Sequence, residues 1–334
     1  MRYLSLLLIF LFCSCAKDSN AVKSLKGEAL GTTYSIQYFS DSDQVTSKEI
    51  DSILEVINTS MSTYIKNSDI SKINDGDRSI QVDEHFRTVF LASKSIYQKT
   101  DGYFDPSVGL LVNAYGFGPE GYAEDVTETE IDSIYNLVGF DKIELTNQNK
   151  IKSSNQYLYL DFNAIAKGYT VDVFGNFLSS KGLNNYLVEI GGEVKVEGKN
   201  KERNGSWKVG IELPMEDGSR ELAYSLELQD QSLATSGNYR KFRIDSLSGK
   251  KYVHTINPRT GKSQKTDLLS ASVITTNCTD ADAYATAFMA MGFEKAKAYL
   301  KQAKGLEVIF IYSDANGNQK TFISDSLQDA VDEF

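Results

Sequence analysis

Cysteine is nearly absent from this 334-residue chain: there are three, and Cys13 and Cys15 both lie in an apolar N-terminal leader. Beyond that leader only Cys278 remains, so no intramolecular disulfide can staple the mature chain. Two histidines, His85 and His254, are too few for a multi-histidine zinc site. Four prolines, with no low-complexity run and no repeat, leave no evident linker. Positive charge is also short. The net charge is -10 and the lysines and arginines are dispersed, which excludes non-specific nucleic-acid binding. No apolar run reaches the ~20 residues that span a bilayer. Packing alone must therefore hold some three hundred residues, in one large domain or two intimately joined halves. Any anionic ligand must be met locally, by a metal, a few cations or helix termini.

What is present begins with Arg2 and the run Leu4 to Phe12, followed by Cys13-Ser14-Cys15. One cation, a short apolar core and small residues beside a cysteine read as a secretory signal. The Ser14-Cys15 end resembles a lipobox, with Phe12 where leucine is usual. Cys15 would then carry the lipid, residues 16–25 (polar from Lys17 to Ser24) would be the tether, and residues 26–334 the folded domain. Ordinary signal cleavage is the alternative.

Periodicity gives a mixed pattern. Gly27 to Phe39 alternates like a strand, and Thr46 to Thr63 is helical through Ile50, Ile53, Leu54 and Ile57. Asp83 to Thr100 and Glu128 to Val138 are further helices. Strands dominate from Tyr186 to Ile244, including Trp207 to Leu213 and Leu222 to Leu228. Leu268 to Thr276 and Val308 to Tyr312 are late strands, separated by helices over Asp280 to Met291 and Phe293 to Ala303. The order implies an α+β chain with a largely antiparallel sheet rather than alternating βαβ units.

The chain is organised around Leu160 to Asp172. Tyr157 to Phe162 reads as a strand, Asn163 as a helix N-cap, and Ala164, Ala166 and Gly168 open a helix running through Phe177. Helix starts favour anions, because their first amides lack partners and the dipole points positive. Lys167 in that first turn calls for an anionic partner: a bound ligand, or a salt bridge to Asp161 or Asp172. His254 stands in Tyr252 to Gly261, a strand leading into a Pro-Gly turn, and is either a base or a buried structural histidine. His85, near the start of a charged helix, reads as a surface residue. Asp282 and Thr286 are four apart on one helical face, and their oxygens suit Mg²⁺; Asp280 is either an N-cap or part of that set. Gly191-Gly192 let a ligand or another backbone come close. Tyr64, and the aromatics of Thr100 to Pro106, fit either stacking or core packing.

Taken together these segments resemble the ApbE family, the FAD:protein FMN transferases. The resemblance runs in order through Gly31 to Tyr34, Met61 to Tyr64, Ser68 to Asn74, Thr100 to Pro106, Asn113 to Pro119, Asp161 to Asp172, Val188 to Glu193, Ser236 to Tyr239, His254 to Gly261 and Ala281 to Ala287. It implies a T-fold-like mixed α/β architecture binding FAD and Mg²⁺. FMN would pass from FAD to a threonine or serine hydroxyl of an acceptor flavoprotein, with release of AMP. The metal would be held by the Ala164 carbonyl, the Asp282 carboxylate and the Thr286 hydroxyl. FAD would meet Leu30, Tyr64, Tyr103, Phe104, Asp105, Asp161, Lys167, Glu189, Gly191, Gly192 and Ile256. Lys167 would share in the catalysis, and His254 would be the base. Tyr64 and Phe104 would face the isoalloxazine, and the helix starts at Ala164 and Ala281 would converge on the metal. Many relatives carry Gly where Asn163 stands.

The resemblance also implies an exported, membrane-anchored lipoprotein on the periplasmic side of the cell envelope, serving an acceptor in a respiratory or redox complex. Two competitors share these residues: an FAD pyrophosphatase with water as acceptor, and a non-catalytic flavin-binding lipoprotein.

Overall fold

The structure, a computed structural model, describes residues 21–119, 126–215, 219, 221–238, 242–244, 251–263 and 266–334. The leader, Cys15, the start of the tether and Tyr239 lie outside the described residues. β1 is Val22–Ala29, so Val22 to Leu25, expected in the tether, form strand. Gly27 to Phe39 is not one strand. It breaks into β1 and β2 (Thr32–Phe39), paired antiparallel from Val22–Phe39 to Ala29–Thr32. Leu30 and Gly31 make the turn with φ of 51° and 75°, the left-handed pair that two-residue hairpins require.

Helices α1 (Ser47–Met61), α2 (Asp69–Asn74), α3 (Glu84–Lys99), α4 (Gly109–Ala114) and α5 (Glu128–Tyr135) follow, then the short hairpin β3 (Ile143–Leu145) and β4 (Ile151–Ser153). Thr46 caps α1 through a reciprocal box with Glu49, as the S/T-x-x-E signature leads one to expect. Helix α6 (Ala166–Ser180) leads into β5 (Tyr186–Ile190), β6 (Glu193–Glu197), β7 (Trp207–Glu212), β8 (Leu222–Leu228) and β9 (Ser232–Gly237). Next come the small hairpins β10 (Phe242–Ile244) with β11 (Lys251–Val253), and β12 (Ile256–Asn257) with β13 (Lys262–Ser263). The chain closes with β14 (Leu268–Thr275), α7 (Cys278–Met291), α8 (Phe293–Leu300), β15 (Glu307–Ser313), β16 (Gln319–Ile323) and β17 (Val331–Glu333).

Eight strands form the main sheet in the order β1-β2-β5-β6-β9-β14-β15-β16, with every pairing antiparallel. The expected α+β class with an antiparallel sheet is what the chain adopts. One face of the sheet carries helices. There Val273 and Phe310 pack with Phe86 and Phe90 of α3 and with Ala281, Ala285 and Phe288 of α7. Tyr34, Ile36 and Val188 pack with Ile50 of α1 and Phe174 of α6. The other face packs on the β17-β8-β7 sheet through Val194, Val196, Ile274, Trp207 and Leu226.

Helix α7 is central. Of its fourteen residues only Asp280, Thr286 and Met291 are not buried, and it is alanine-rich because it is enclosed nearly all round. Among the described residues no helix is long and apolar enough to cross a membrane.

Candidate active site

The site grows from the contact between α6 and α7. Gly168, in the first turn of α6, lies so close to α7 that a Cβ there would sit 2.2 Å from the Cys278 carbonyl oxygen and 2.7 Å from the Asp282 Cβ. The Gly168 N–H donates to Asp282 Oδ2 at 2.9 Å. From the same α6, Asp172 accepts from the Cys278 and Thr279 amides at 3.1 and 2.8 Å and from the Thr279 hydroxyl, so it satisfies orphan donors at the start of α7. The starts of α6 and α7 lie against each other, with boundaries that differ from those expected. Asn163 is not the cap of α6: its N–H donates to Asp161 Oδ1 in a local turn, and Ile165 holds the N-cap position. Asn277 rather than Asp280 caps α7. Tyr157 to Phe162 is not a strand; the Asn74 side chain holds this segment through the Leu160 carbonyl and amide at 2.9 and 2.7 Å.

Lys167 does find an anion, but neither Asp161 nor Asp172. It ion-pairs with Glu193, whose side chain is 3% exposed while that of Lys167 is 31% exposed. Asp172 pairs instead with Lys195 at 2.9 Å. Alternation along β6 was the available signal: Val194 and Val196 face the β7–β8 sheet, leaving Glu193 and Lys195 toward α6.

Burial, opposed by Lys167 and reinforced by Asp282, raises the Glu193 carboxyl. Burial likewise raises Asp282, against the pull of Lys167 and the Gly168 amide. Burial would lower the Lys167 ammonium, but Asp282 and Glu193 outweigh it and hold the group charged. Two buried carboxylates thus share one ammonium, and Glu193 Oε2 has no hydrogen-bond partner among the described residues.

The other expected residues gather around this cluster unevenly. Thr286 lies one turn beyond Asp282 and meets the Ser236 hydroxyl at 3.3 Å, a β9 contact that was not foreseen. Ala164 is half-buried in the turn before α6, which Phe162 closes by accepting from the Ile165 and Ala166 amides. Glu193 itself follows the Gly191-Gly192 turn, where the Glu189 carboxylate accepts from the Gly192 amide at 2.7 Å. Gly191 has φ of 58° and its amide donates to the Thr33 carbonyl, so that turn abuts the β2 residues just after Leu30. Tyr64 is 61% exposed, and its phenol is raised by partial desolvation and by the Asp161 charge. Asp161 in turn donates its amide to the Pro106 carbonyl at 2.8 Å, tying this segment to the Thr100 to Pro106 loop.

Two residues of that loop, and Ile256 of β12, are buried. Phe104 is 2% exposed and belongs to the main core, so it offers no stacking surface. Asp105 is buried and accepts from the Ser107 amide and hydroxyl and the Phe140 amide; burial, opposed by those bonds, pushes its carboxyl up to about 6. Ile256 packs with Leu111, Tyr115 and Val138. Tyr103 remains accessible to partners: Lys295 donates to its hydroxyl at 2.8 Å, and the Arg259 guanidinium lies 5.9 Å from its ring. Arg259 also pairs with Asp101 at 2.7 Å, which joins the loop to the turn after β12. His254 is half-buried in the bend between β11 and β12, and Asn257 just beyond donates to the Ala290 carbonyl of α7 at 3.2 Å. His85 is half-buried rather than on the surface, with Nδ1 2.8 Å from the Tyr169 hydroxyl.

Among the described residues no group of three or more His, Cys, Asp or Glu side chains could hold a metal. A cation here would rest on mixed oxygens: the Asp282 carboxylate, the Thr286 hydroxyl and the Ala164 carbonyl. The donor chemistry fits a hard ion, and the excess buried negative charge with its orphaned Glu193 oxygen leaves room for one more positive charge.

What fold and cluster define is a class: an antiparallel α+β protein in which an ammonium pairs with one buried carboxylate and feels a second where two helices start. The chain belongs to the ApbE family, which matches residues 30–310. It is 35% identical to the FAD:protein FMN transferase of Vibrio cholerae over 317 residues, covering 92% of each chain. The enzyme of the same name from Haemophilus influenzae is 34% identical, over 91% of this chain and 90% of that one. Among solved structures, the flavin transferase ApbE from Vibrio cholerae superposes with a TM-score of 0.81 at 34% identity, covering 93% of this chain and 99% of that one. The apo flavinyl transferase ApbE of Pseudomonas stutzeri gives 0.81 at 29% identity, covering 93% and 96%.

Proposed function

We propose that this chain is a transferase that moves FMN from FAD to a threonine or serine hydroxyl of an acceptor flavoprotein and releases AMP. One observation carries the reading: Lys167, Glu193 and Asp282 come together where α6 and α7 start, in a chain whose curated relatives are named FAD:protein FMN transferase. The acceptor oxygen attacks the FMN phosphorus, the bond to the bridging pyrophosphate oxygen breaks, and the electron pair leaves on AMP. His254 takes the hydroxyl proton. Lys167, partly open to solvent, offers its ammonium to the pyrophosphate and stabilises charge that develops on the departing oxygen. Tyr64 presents an exposed ring to the isoalloxazine.

Ala164, Asp282 and Thr286 would hold Mg²⁺, which when bound supplies further positive charge at the diphosphate. The reading also makes the protein an exported lipoprotein anchored through Cys15, acting on a redox complex of the cell envelope.

Incubation with FAD, Mg²⁺ and a cell-envelope extract, followed by in-gel flavin fluorescence, tests it. A covalently fluorescent polypeptide should form, and AMP should appear in equal amount. EDTA or Asp282→Ala should abolish both. FMN and AMP without any labelled polypeptide would mean hydrolysis, and intact FAD in the presence of Mg²⁺ would mean flavin binding without catalysis.

A further inference from the structure

A cavity of about 530 Å³ is left unused by the chemistry above. Its wall includes Asn238 after β9, Val253 at the end of β11, Leu268 and Leu269 of β14, and Gln319 of β16. The ladder itself makes the space. β9 and β14 pair from Ser232–Thr275 to Gly237–Ser270 and no further. At the same place β14 shifts register against β15 between Leu268 and Ser270, a bulge at which the strands part.

Asn238 stands at that opening. It is 7% exposed, and neither Oδ1 nor Nδ2 has a hydrogen-bond partner among the described residues. Native proteins rarely leave both ends of a buried carboxamide unmet. Three polar neighbours in the wall are engaged elsewhere. Asp267 accepts from the Phe293 amide, Asp314 accepts from the Asn316 and Asn318 amides, and the Thr266 hydroxyl donates to the Leu268 and Met289 carbonyls. A donor nitrogen beside an acceptor oxygen is complementary to the backbone of one extended residue, whose N–H and C=O point the same way, as Asn74 shows with Leu160. A lone anion or cation would satisfy only one end.

The walls lead to the reacting groups. Asn238 is two residues, roughly 7 Å of strand, beyond Ser236, whose hydroxyl touches Thr286. Val253 immediately precedes His254.

We propose that this cavity seats a backbone segment of the acceptor polypeptide next to its reacting hydroxyl residue, with the Asn238 carboxamide pairing with the N–H and C=O of one extended residue. The inference rests on the transfer reading above. Asn238→Leu keeps the volume and removes only the two unmet ends, so melting temperature and FAD affinity should hold. With FAD saturating and the envelope extract as acceptor, dilution of the extract gives an apparent KM. That KM should rise on the order of tenfold, the weight of two hydrogen bonds, with kcat little changed. Asn238→Gln should recover part of the loss. Should Asn238→Leu fail to fold, Gln319→Trp, which fills the exposed wall, must raise the same KM. An unaltered KM, or an equal loss of FAD affinity, overturns the docking assignment. If the unsubstituted chain splits FAD yet labels no polypeptide, the transfer reading fails and the docking assignment falls with it.

Discussion

His254 carries the sharpest residue-scale expectation, because a threonine hydroxyl is a poor nucleophile near neutral pH and needs a base within reach. His254→Ala should lower transfer by roughly 10²-fold or more while FAD affinity changes little. The contrast is His85→Ala, which loses one bond to Tyr169 and should cost stability of about 1 kcal/mol without touching transfer. Equal transfer rates for His254→Ala and the unsubstituted chain, at saturating FAD and acceptor, would remove His254 from the mechanism.

Asp105 gives a pH test. Its folded pKa, about 6, lies above the ordinary carboxylate value near 4. Between those values the folded state holds the proton and the unfolded state has lost it, so this group's contribution to stability falls as pH rises from about 4 to about 6. The stability difference between the unsubstituted chain and Asp105→Asn, measured by urea unfolding, should shift against the former by up to about 3 kcal/mol across that window. A constant difference from pH 4 to 7 would show that burial does not hold this proton.

At the scale of elements, the α6–α7 contact decides where every charged group of the site sits. Gly168→Ala places a methyl 2.2 Å from the Cys278 carbonyl, a backbone atom that cannot swing aside. The helices must separate, and the Gly168–Asp282 bond and the Asp172 cap on α7 stretch with them. Overpacking of this kind costs roughly 1–3 kcal/mol or more, and FAD affinity should fall together with stability. A variant with native melting temperature and native FAD affinity would show that the contact is looser than it stands here. Much of this was foreseeable in outline. The small residues Ala164, Ala166 and Gly168 were legible as a helix start and the four-residue spacing of Asp282 and Thr286 as one helical face, whereas the close approach at Gly168 was not. Alternation along β6 turns Glu193 toward α6, but it could not pair Glu193 with Lys167, which lies twenty-six residues away on a helix.

For the whole molecule, the leader and the folded domain should separate cleanly. Cys15→Ser should abolish lipid attachment and release a soluble enzyme that still labels its acceptor, since β1 begins only at Val22. Unchanged mass and membrane fractionation would rule out Cys15 as the lipid site. Composition and hydrophobic period were enough to read the α+β class and most helices, because each depends on neighbours along the chain; the family resemblance was carried by short motifs in one order. Other features depended on which surfaces meet. Phe104 and Ile256 sit in motifs that suggested ligand contact, yet both are enclosed by elements distant in sequence. Asn163 has the chemistry of a cap, but Asp161 claims its amide two residues earlier. Glu193 and Asp282 became one electrostatic unit only when α6 was laid against both β6 and α7. Charge interactions depend on separation in space and on burial, and neither quantity exists until the sheet and helices have packed.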